Sequence, residues 1–395
     1  MQKVLIMNAG SSSFKWQLFE MDSEKVIAKG QIERLNLPNS IITIKYKDKK
    51  IVDDSLSLDT TNAIKLVLKK LVDLHIINNL NEISAVGHRV VAGGQYFTKA
   101  AQINKEVIDK INNFSDFAPL HNPAEIMGIK IMENQLPNVK QFAVFDSTFF
   151  TNLPEMNAIY SIPMELTKKY GIHRYSEHGI SHSYLSSRAS ELLNKSLSDL
   201  KLITMHLGSG SSVAAVKNGT AFDTSMGMSP LTGLTMGTRS GDVDPTLIPF
   251  LIKHEGLSVN EILDIFNKKS GLLGLSGISS DMRDIEDAMN KGNYLAKLSM
   301  DIFKNRCVKY VASFYAEMGG ADAIIFAGGI GENDPALDVD IMNQLSCLGI
   351  KMKSPDKLIR GKEQVMSSSD SNVLVMMIPT NEELSMLKQI KEILC

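Results

Sequence analysis

The sequence contains few cysteines, and they form no recognisable set. Cys307, Cys347 and Cys395 lie far apart in the chain, and no CxxC motif occurs. This spacing indicates neither a disulfide framework nor a structural zinc site. We therefore expect a protein of a reducing compartment, the cytoplasm.

Long apolar runs are also missing. No stretch approaches the ~20 consecutive apolar residues that a membrane helix needs. The chain begins with a strand-like apolar run, Val4–Met7, followed by a polar turn, and this pattern is not that of a signal peptide. We expect no membrane segment and no membrane partner.

Neither sign of charge dominates. The 42 basic and 44 acidic residues give a net charge of −2, so the basic excess typical of nucleic-acid-binding proteins is absent. The apolar fraction of 44% favours a folded globular protein over a disordered one. At 395 residues the chain is too long for one ordinary core, which suggests two domains.

The order of predicted elements repeats once along the chain. Alternating apolar residues predict two strands around the Gly/Ser turn at 8–13, and again around the turn at 208–212. We interpret this as a weak duplication of one α/β unit, with both turns directed to a central cleft. The predicted domains are residues 1–150, joined by a C-terminal helix at about 382–395, and residues 151–381.

Helical spacing of apolar residues predicts helices at 59–78, about 284–318 and 380–394. A further helix is expected after Leu120, with Asn122 as its cap, Pro123 at its first position and Glu125 at its third.

The first Gly/Ser turn has the composition of an anion site. Backbone N–H groups there can converge on a phosphate because glycine has no Cβ to block the approach. Ser11 and Ser13 would add hydroxyl donors, and Lys15 lies just beyond the turn. Asn8 could hold a hydrated Mg²⁺. For one such turn alone, a plain polar hairpin is the better explanation, whereas two turns favour phosphate binding.

A third glycine-rich element, residues 327–333, follows a short apolar strand at 324–326. Its glycines would allow close backbone approach to a nucleotide, although strand-to-helix glycines often serve only packing. No GxxxxGK[ST] motif occurs in the chain.

Several charged residues stand in polar or Gly-rich settings. Guanidinium groups such as those of Arg89 and Arg239 suit carboxylates and the oxygens of a transferring phosphoryl group. For Arg239 an ion pair with Asp242 or Asp244 is an even alternative. Asp146 ends a strand, where loop capping competes with function. His121 and His178 lie at turns or helix starts, where lone histidines are more often structural.

Taken together, these segments resemble the acetate and propionate kinase family, within the larger group that shares the actin, Hsp70 and sugar kinase fold (ribonuclease H-like). The matching stretches span nearly the whole chain in order: Asn8–Lys15, Gly87–Val91, Leu120–Pro123, Phe145–Ser147, His178–His182, His206–Gly210, Asp223–Pro245, Asp281–Arg283, Gly329–Asn333 and Thr380–Leu384.

The resemblance implies transfer of the ATP γ-phosphoryl group to acetate, with propionate as the alternative acceptor, and a homodimer that uses Mg²⁺ or Mn²⁺. It implies Asn8 and Glu382 as metal ligands, Arg89 as the carboxylate-binding residue, and Asp146, His178, Arg239 and His121 as catalytic residues. Val91, Leu120 and Pro230 would line the acyl pocket. ATP or ADP would bind through Lys15, Ser11, Ser13, His206, Leu207, Gly208, Ser209, Gly210, Asp281, Met282, Arg283, Gly329, Ile330, Gly331, Glu332 and Asn333.

Several positions depart from the family pattern, among them Ala92, residues 147–150 and two more that bear on substrate binding. Ser209 stands where Asn is usual, and Glu177 stands where an aromatic residue is usual. A carboxylate is costly to bury without a partner, so we expect Glu177 to turn outward to water or to Arg174.

Two other functions compete with that of an acyl kinase. An ATP-driven chaperone or filament protein of this fold would need a peptide-binding domain or assembly insertions, and 395 residues leave no room for such a domain. A non-catalytic nucleotide sensor would have lost catalytic groups, yet Arg89, Asp146, His178 and Arg239 are all present.

Overall fold

The computed structural model describes residues 2–10, 13–115 and 121–394. Ser11 and Leu120, both predicted to bind substrate, lie outside the described residues. The chain divides into two compact units, Met1–Thr151 with Asn381–Cys395, and Asn152–Thr380.

The first unit is built on a mixed sheet flanked by helices. Its described strands are β1 (Lys3–Ala9), β2 (Ser13–Glu20), β3 (Lys25–Glu33), β4 (Ser40–Tyr46), β5 (Lys49–Leu56), β6 (Ile83–Val90), β7 (Ala101–Gln102) and β8 (Lys140–Phe145). Its helices are α1 (Thr60–Asp73), α2 (Lys105–Asn113), α3 (Asn122–Gln135) and the C-terminal helix Glu382–Leu394, with 3₁₀ turns at Leu80–Glu82, Gly94–Tyr96 and Asp146–Phe150. The strand order is β5-β4-β3-β2-β1-β6-β8-β7.

The second unit contains another mixed sheet. Its strands are β9 (Lys201–Leu207), β10 (Ser211–Lys217), β11 (Thr220–Thr224), β12 (Ala323–Ala327), β13 (Gln364–Val365) and β14 (Leu374–Met377). Its helices are α4 (Glu155–Ala158), α5 (Met164–Tyr170), α6 (Gly179–Leu193), α7 (Leu247–Glu255), α8 (Val259–Lys268), α9 (Gly271–Ser276), α10 (Met282–Asn290), α11 (Tyr294–Met318), α12 (Gly328–Gly331) and α13 (Pro335–Asn343). Short 3₁₀ turns occur at Leu197–Asp199, Ser346–Leu348 and Pro355–Lys357.

The two sheets share one topology. In the first, the order β3-β2-β1-β6-β8 begins with three antiparallel strands, after which β6 and β8 run parallel to β1. In the second, β11-β10-β9-β12-β14 repeats this order and these directions. The predicted duplicated α/β fold class is therefore confirmed.

Each sheet buries apolar side chains against its helices. In the first unit Phe14, Trp16 and Leu18 of β2 are buried and belong to one core cluster with the inner face of α1. In the second, Phe303 and Phe314 of α11 lie in the cluster that covers β9, β10 and β12. Such burial stabilises the fold by about 25 cal/mol per Å² of apolar surface removed from water. The packed core therefore holds in place the strand ends that carry the polar residues of the site.

One predicted helix is wrong. Residues 284–318 do not form a continuous helix, because Gly292 adopts a left-handed conformation (φ 85°) that ends α10. The chain then starts again at α11, whose cap Asn293 accepts a hydrogen bond from the Ala296 N–H. Within the described ranges, no helix is both long and apolar enough to cross a membrane.

Candidate active site

Arg89 and Asp146 form an ion pair in the first unit. Arg89 lies near the end of β6 and Asp146 directly follows β8, a parallel neighbour in which Val90 pairs with Phe145. Since parallel strands end at the same edge of a sheet, the two side chains meet there. Arg89 Nη2 lies 2.5 Å from Asp146 Oδ2, and Asp146 is only 1% exposed.

The start of α3 completes this cluster, and it corrects one prediction. Asn122 does not cap α3, because it lies inside the helix and His121 is the N-cap. The Asn122 amide instead accepts from the Ala92 N–H at 3.2 Å and donates to the Ala92 carbonyl at 3.0 Å. Glu125 accepts from the Val91 N–H at 3.0 Å, and its other oxygen lies 4.0 Å from Arg89 Nη1.

Glu125 and Asn122 therefore hold the segment that carries Arg89 and Val91, and both are buried. This role was not predicted, because the Asn-Pro-x-Glu motif by itself indicates only a helix start. Of the predicted neighbours, His121 is half-buried at the N-terminus of α3, and Val91 is buried.

The predicted metal ligands belong to two elements of the first unit. Asn8 of β1 is the register partner of Lys15 of β2, beside the first turn, where the Gly10 N–H donates to the Ser13 carbonyl at 2.8 Å. Glu382 begins the C-terminal helix. Burial, and next the Glu382 charge, raise the pKa of neighbouring Glu383, whereas Lys15 and Lys29 lower it.

An amide oxygen and a carboxylate are hard ligands of the kind that Mg²⁺ binds. Among the described residues, no group of three or more His, Cys, Asp or Glu side chains could hold a metal. A Mg²⁺ ion at Asn8 and Glu382 would thus have few protein ligands, which is usual where substrate phosphates and water fill the remaining positions.

Two glycine-rich turns adjoin in the second unit. The first, between β9 and β10, is closed by the Gly208 N–H, which donates to the Gly210 carbonyl at 3.0 Å. Gly328 follows β12 with φ 80°, and a Cβ there would lie 2.5 Å from the Leu207 carbonyl oxygen. A Cβ on Gly208 would lie 3.7 Å from the Gly329 nitrogen. Gly328 therefore has to be glycine, whereas the approach of Gly208 to Gly329 is at an ordinary van der Waals distance.

These turns border a cavity of ≈580 Å³. It is lined by Gly208, Ser209, Ser280, Asp281, Met282, Arg283, Glu286, Gly329, Ile330, Asn333, Asp334 and Arg360. The predicted nucleotide residues of three separate segments thus share one pocket. Glu286 and Arg360 were not predicted, since no local pattern distinguishes them. Burial, and next its hydrogen bond to Asp334, raise the pKa of Glu286 to about 7.

Asp281 organises one wall of the cavity. Its carboxylate accepts from the Arg283 backbone N–H at 3.0 Å as the cap of α10, and it also pairs with the Arg283 guanidinium at 2.6 Å. The Arg283 hydrogen bond lowers the pKa of Asp281, which therefore stays ionised near neutral pH.

His178 and Arg239 both reach the first of these turns. His178 Nε2 lies 3.1 Å, and Arg239 Nη1 3.5 Å, from the position that a Gly210 Cβ would occupy. His178 has φ 62°, a conformation that is rare for a non-glycine residue and is concentrated at functional sites. Two side-chain nitrogens thus lie beside a Gly/Ser turn.

Arg239 does not form the ion pair that the sequence allowed as an alternative. Its Nη1 donates to the Pro230 carbonyl at 3.3 Å. Asp242 accepts from the Gly233 N–H at 2.9 Å and from the Tyr310 hydroxyl at 2.6 Å, and Asp244 accepts from the Thr246 N–H. Asp242 therefore stabilises the loop that carries Arg239.

Hydrogen bonds link the two glycine-rich turns by way of Thr380, the last residue of the second unit. His206 Nδ1 lies 2.9 Å from Ser181 Oγ, which lies 2.7 Å from Thr380 Oγ1. The Thr380 N–H donates to Glu332 at 3.0 Å, and the same carboxylate oxygen accepts from the Gly328 N–H at 2.9 Å. Glu332 therefore holds the glycine-rich turn that follows β12 in place.

The expectation that Glu177 turns outward is wrong. Glu177 is 5% exposed, between two residues in left-handed conformation, Ser176 and His178. Arg174 instead pairs with Asp223 at 2.7 Å. The Ser176 N–H donates to the Gly227 carbonyl at 3.0 Å, which holds this segment in place and with it the direction of the Glu177 side chain.

The site residues thus form one group in each unit: Arg89 with Asp146 in the first, and His178 with Arg239 and the glycine-rich turns in the second. The convergence of all four side chains on one pocket stays a prediction, as do the roles assigned to them.

The chain matches known proteins along its whole length. A sequence model of the acetokinase family matches residues 3–388. The acetate kinase of Limosilactobacillus fermentum is 46% identical over 394 residues, 100% of this chain and 99% of that protein. The crystal structure of Porphyromonas gingivalis acetate kinase matches with a TM-score of 0.92 at 42% identity, over 100% of both chains. A Francisella tularensis propionate kinase structure matches with a TM-score of 0.92 at 39% identity, over 98% of this chain and 99% of that one.

Proposed function

Because the chain belongs to the acetokinase family, we propose that it reversibly transfers the γ-phosphoryl group of ATP to acetate, forming acetyl phosphate and ADP. The observation that carries this proposal is the approach of His178 Nε2 and Arg239 Nη1 to the Gly210 turn, beside a nucleotide-sized cavity. Propionate is the second candidate acceptor, because the 39% identical neighbour is a propionate kinase.

The acceptor needs no general base, because a carboxylate is already ionised at neutral pH. The difficulty lies in bringing one anion up to another, so catalysis is mainly positioning and charge neutralisation. Arg89 binds the acceptor carboxylate with its planar fork. His178 and Arg239 place donors and positive charge on the transferring group.

Asp146 orients Arg89 and accepts no proton from the substrate. Its short contact to Arg89 supports this role, because a carboxylate held by a guanidinium is a weak base. His121 contributes to the same site from the N-terminus of α3.

ATP lies in the cavity of the second unit, with its adenosine against Asp281–Arg283 and its phosphates on the glycine-rich turns, where His206–Gly210 and Gly329–Asn333 bind it. Ser13 and Lys15 contribute from the first turn. Asn8 and Glu382 hold Mg²⁺, which Mn²⁺ could replace, and the bound ion would neutralise phosphate charge. The acyl group contacts Val91 and Pro230.

The protein works in the cytoplasm as a homodimer. A reducing compartment is consistent with Cys307 and Cys347, both of which are free thiols. Sedimentation or light scattering of the purified chain at micromolar concentration measures the oligomeric state, and a monomer there would contradict this part.

The deciding assay supplies ATP, Mg²⁺, acetate and hydroxylamine and measures acetyl hydroxamate. The enzyme forms hydroxamate in proportion to ADP, whereas a chaperone, a filament protein or a nucleotide sensor forms none. Hydroxamate from propionate at equal or higher kcat/KM would make propionate the principal acceptor.

A further inference from the structure

A buried chain of hydrogen bonds runs from His178 into the interior of the second unit. His178 Nδ1 lies 2.8 Å from Ser212 Oγ, and Ser212 Oγ lies 2.8 Å from His182 Nε2. His182 Nδ1 in turn lies 2.7 Å from Thr204 Oγ1. Ser212, His182 and Thr204 are each 0% exposed.

The number of protons allows two directions for these bonds, and the contact at the far end selects one of them. Ser212 has one hydroxyl proton between two imidazole nitrogens, so it donates to one histidine and accepts from the other. At the far end, Thr204 Oγ1 also lies 3.5 Å from the Ala214 carbonyl oxygen, which can only accept. The Thr204 proton therefore has an acceptor other than His182, and its oxygen can accept the His182 Nδ1–H.

His182 itself is neutral. Burial, and next the nearby His206, hold the pKa of His182 well below its usual range. A neutral imidazole with its proton on Nδ1 has a lone pair on Nε2. That lone pair takes the Ser212 proton, and the Ser212 oxygen is left to accept from His178.

We propose that Ser212, His182 and Thr204 are positioning residues, which fix the proton of His178 on Nδ1 and direct Nε2 to the Gly208–Gly210 turn. With Nδ1 always protonated, Nε2–H exists only in the imidazolium form, so His178 donates there as a cation. The effect of this donation on catalysis rests on the proposed function of His178, whereas the assignment of the tautomer does not.

Buried polar groups must be hydrogen-bonded in any folded protein, so loss of stability alone would not distinguish this role from a structural one. The informative variant is Thr204→Val, which has nearly the same shape. It removes the acceptor of the His182 Nδ1–H, and a buried unpaired N–H is costly. His182 should then carry its proton on Nε2 and donate to Ser212, which reverses the chain. His178 would become the Nε2–H tautomer, although Thr204 is two hydrogen-bonded groups away from it.

The test is NMR of the [¹⁵N]histidine-labelled full chain, with the His178 signal assigned by its loss in His178→Gln. We expect the Nδ1–H form of His178 in the wild type, the Nε2–H form in Thr204→Val, and loss of the Nδ1 preference in Ser212→Ala. Ser299→Ala is the matched control, since Ser299 is a fully buried serine that donates to the Ala296 carbonyl of its own helix. It should leave the His178 signal unchanged.

Kinetics provide a second readout. Ser212→Ala should lower kcat by roughly tenfold to a hundredfold, by analogy with partners that orient metal-binding histidines, with little change in the KM for acetate. Ser212→Thr keeps the hydroxyl and should restore most of kcat. If Ser212→Ala does not fold, Thr204→Val and Ser212→Thr still decide the tautomer.

The Nε2–H form in wild-type protein, or a His178 signal that Thr204→Val leaves unchanged, would overturn the proposal. So would a Ser212→Ala variant with a lower melting temperature but wild-type kcat. If His178→Ala keeps full kcat, the assigned role of His178 fails, while the tautomer measurements still decide the positioning chain.

Discussion

Arg89 and Asp146 are joined in a short ion pair, 2.5 Å between Nη2 and Oδ2, at the ends of two neighbouring parallel strands. Glu125 lies 4.0 Å from the same guanidinium. In the proposed function, an incoming carboxylate would meet a guanidinium whose orientation two acidic side chains have already set. Pre-organisation of this kind lowers the entropy cost of binding.

Replacing Arg89 should weaken acceptor binding. We expect Arg89→Ala to raise the KM for acetate roughly 10–100-fold, because hydrogen bonds between charged groups contribute about 1.5–3 kcal/mol, with a smaller fall in kcat. Steady-state kinetics with acetate as the varied substrate check this. Arg188→Ala is the control, since Arg188 pairs with Glu191 and Glu363 in a half-exposed setting. An unchanged acetate KM in Arg89→Ala would remove Arg89 from the acceptor site.

Replacing Arg239 should slow the chemical step. Arg239→Ala removes a donor beside the Gly210 turn, and loss of one such donor typically lowers kcat roughly 10²–10³-fold. The KM values for ATP and acetate should change little. Asp242→Asn tests the alternative, because it disturbs only the loop bonds to Gly233 and Tyr310. A larger fall in kcat for Asp242→Asn than for Arg239→Ala would mean that loop order, and not the guanidinium, matters.

Replacement by alanine should have different effects at Gly328 and Gly329, two adjacent glycines in the turn that follows β12. Gly328→Ala forces a positive φ, at about 1–3 kcal/mol, and places a Cβ 2.5 Å from the Leu207 carbonyl oxygen, so the melting temperature should fall. Gly329 lines the cavity of the second unit, and nothing lies within 4 Å of a Cβ added there. Gly329→Ala should therefore keep its melting temperature and raise the KM for ATP. Calorimetry gives the melting temperatures of both variants, and steady-state kinetics give their KM for ATP. Equal melting temperatures would contradict the close contact between a Gly328 Cβ and Leu207.

Stability of the first unit should fall at mildly acidic pH because of His88. Burial lowers the pKa of His88 to about 4, and its hydrogen bond to Gln141 opposes this only in part. Between pH 6.5 and 4 the unfolded chain binds a proton at this residue that the folded one does not. The free energy of unfolding therefore falls with pH by up to about 1.4 kcal/mol per unit, roughly 3 kcal/mol in all.

Trp16 makes this measurable, because it is the sole tryptophan and lies buried in the same unit as His88. Urea unfolding followed by its fluorescence at pH 7 and pH 5 should show a smaller pH effect in His88→Gln than in the wild type. Equal pH dependence in the two proteins would mean that His88 titrates normally.

Glu177 is a further candidate for acyl selection, beside Val91 and Pro230. It is buried beside His178, and the sequence resemblance implies an aromatic residue at this position. We expect Glu177→Phe to lower kcat/KM for propionate relative to acetate, because one methylene against an apolar wall is worth roughly 1–3 kcal/mol. An unchanged ratio, in a variant that melts like the wild type, would separate Glu177 from acyl choice.

Much of this could be predicted from local patterns. The alternation of apolar residues identified the strands around both Gly/Ser turns, because strand periodicity is a property of neighbouring residues. The glycine-rich turn after β12 was also recognisable locally, because its glycines directly follow a short apolar strand. Gly328 has the positive φ that requires glycine. The sequence alone also carried the family resemblance, which the matches confirm.

Only the tertiary structure decided which partner each polar side chain takes. Asn122 binds the Ala92 backbone and does not cap its helix, Glu177 is buried, and Arg239 donates to Pro230 and not to Asp242. The chain from His178 to Thr204 likewise joins a helix to two strands. Partners of this kind are distant in sequence, and several acceptors compete for each donor. Packing decides among them, because it fixes which atoms come within hydrogen-bonding distance away from water.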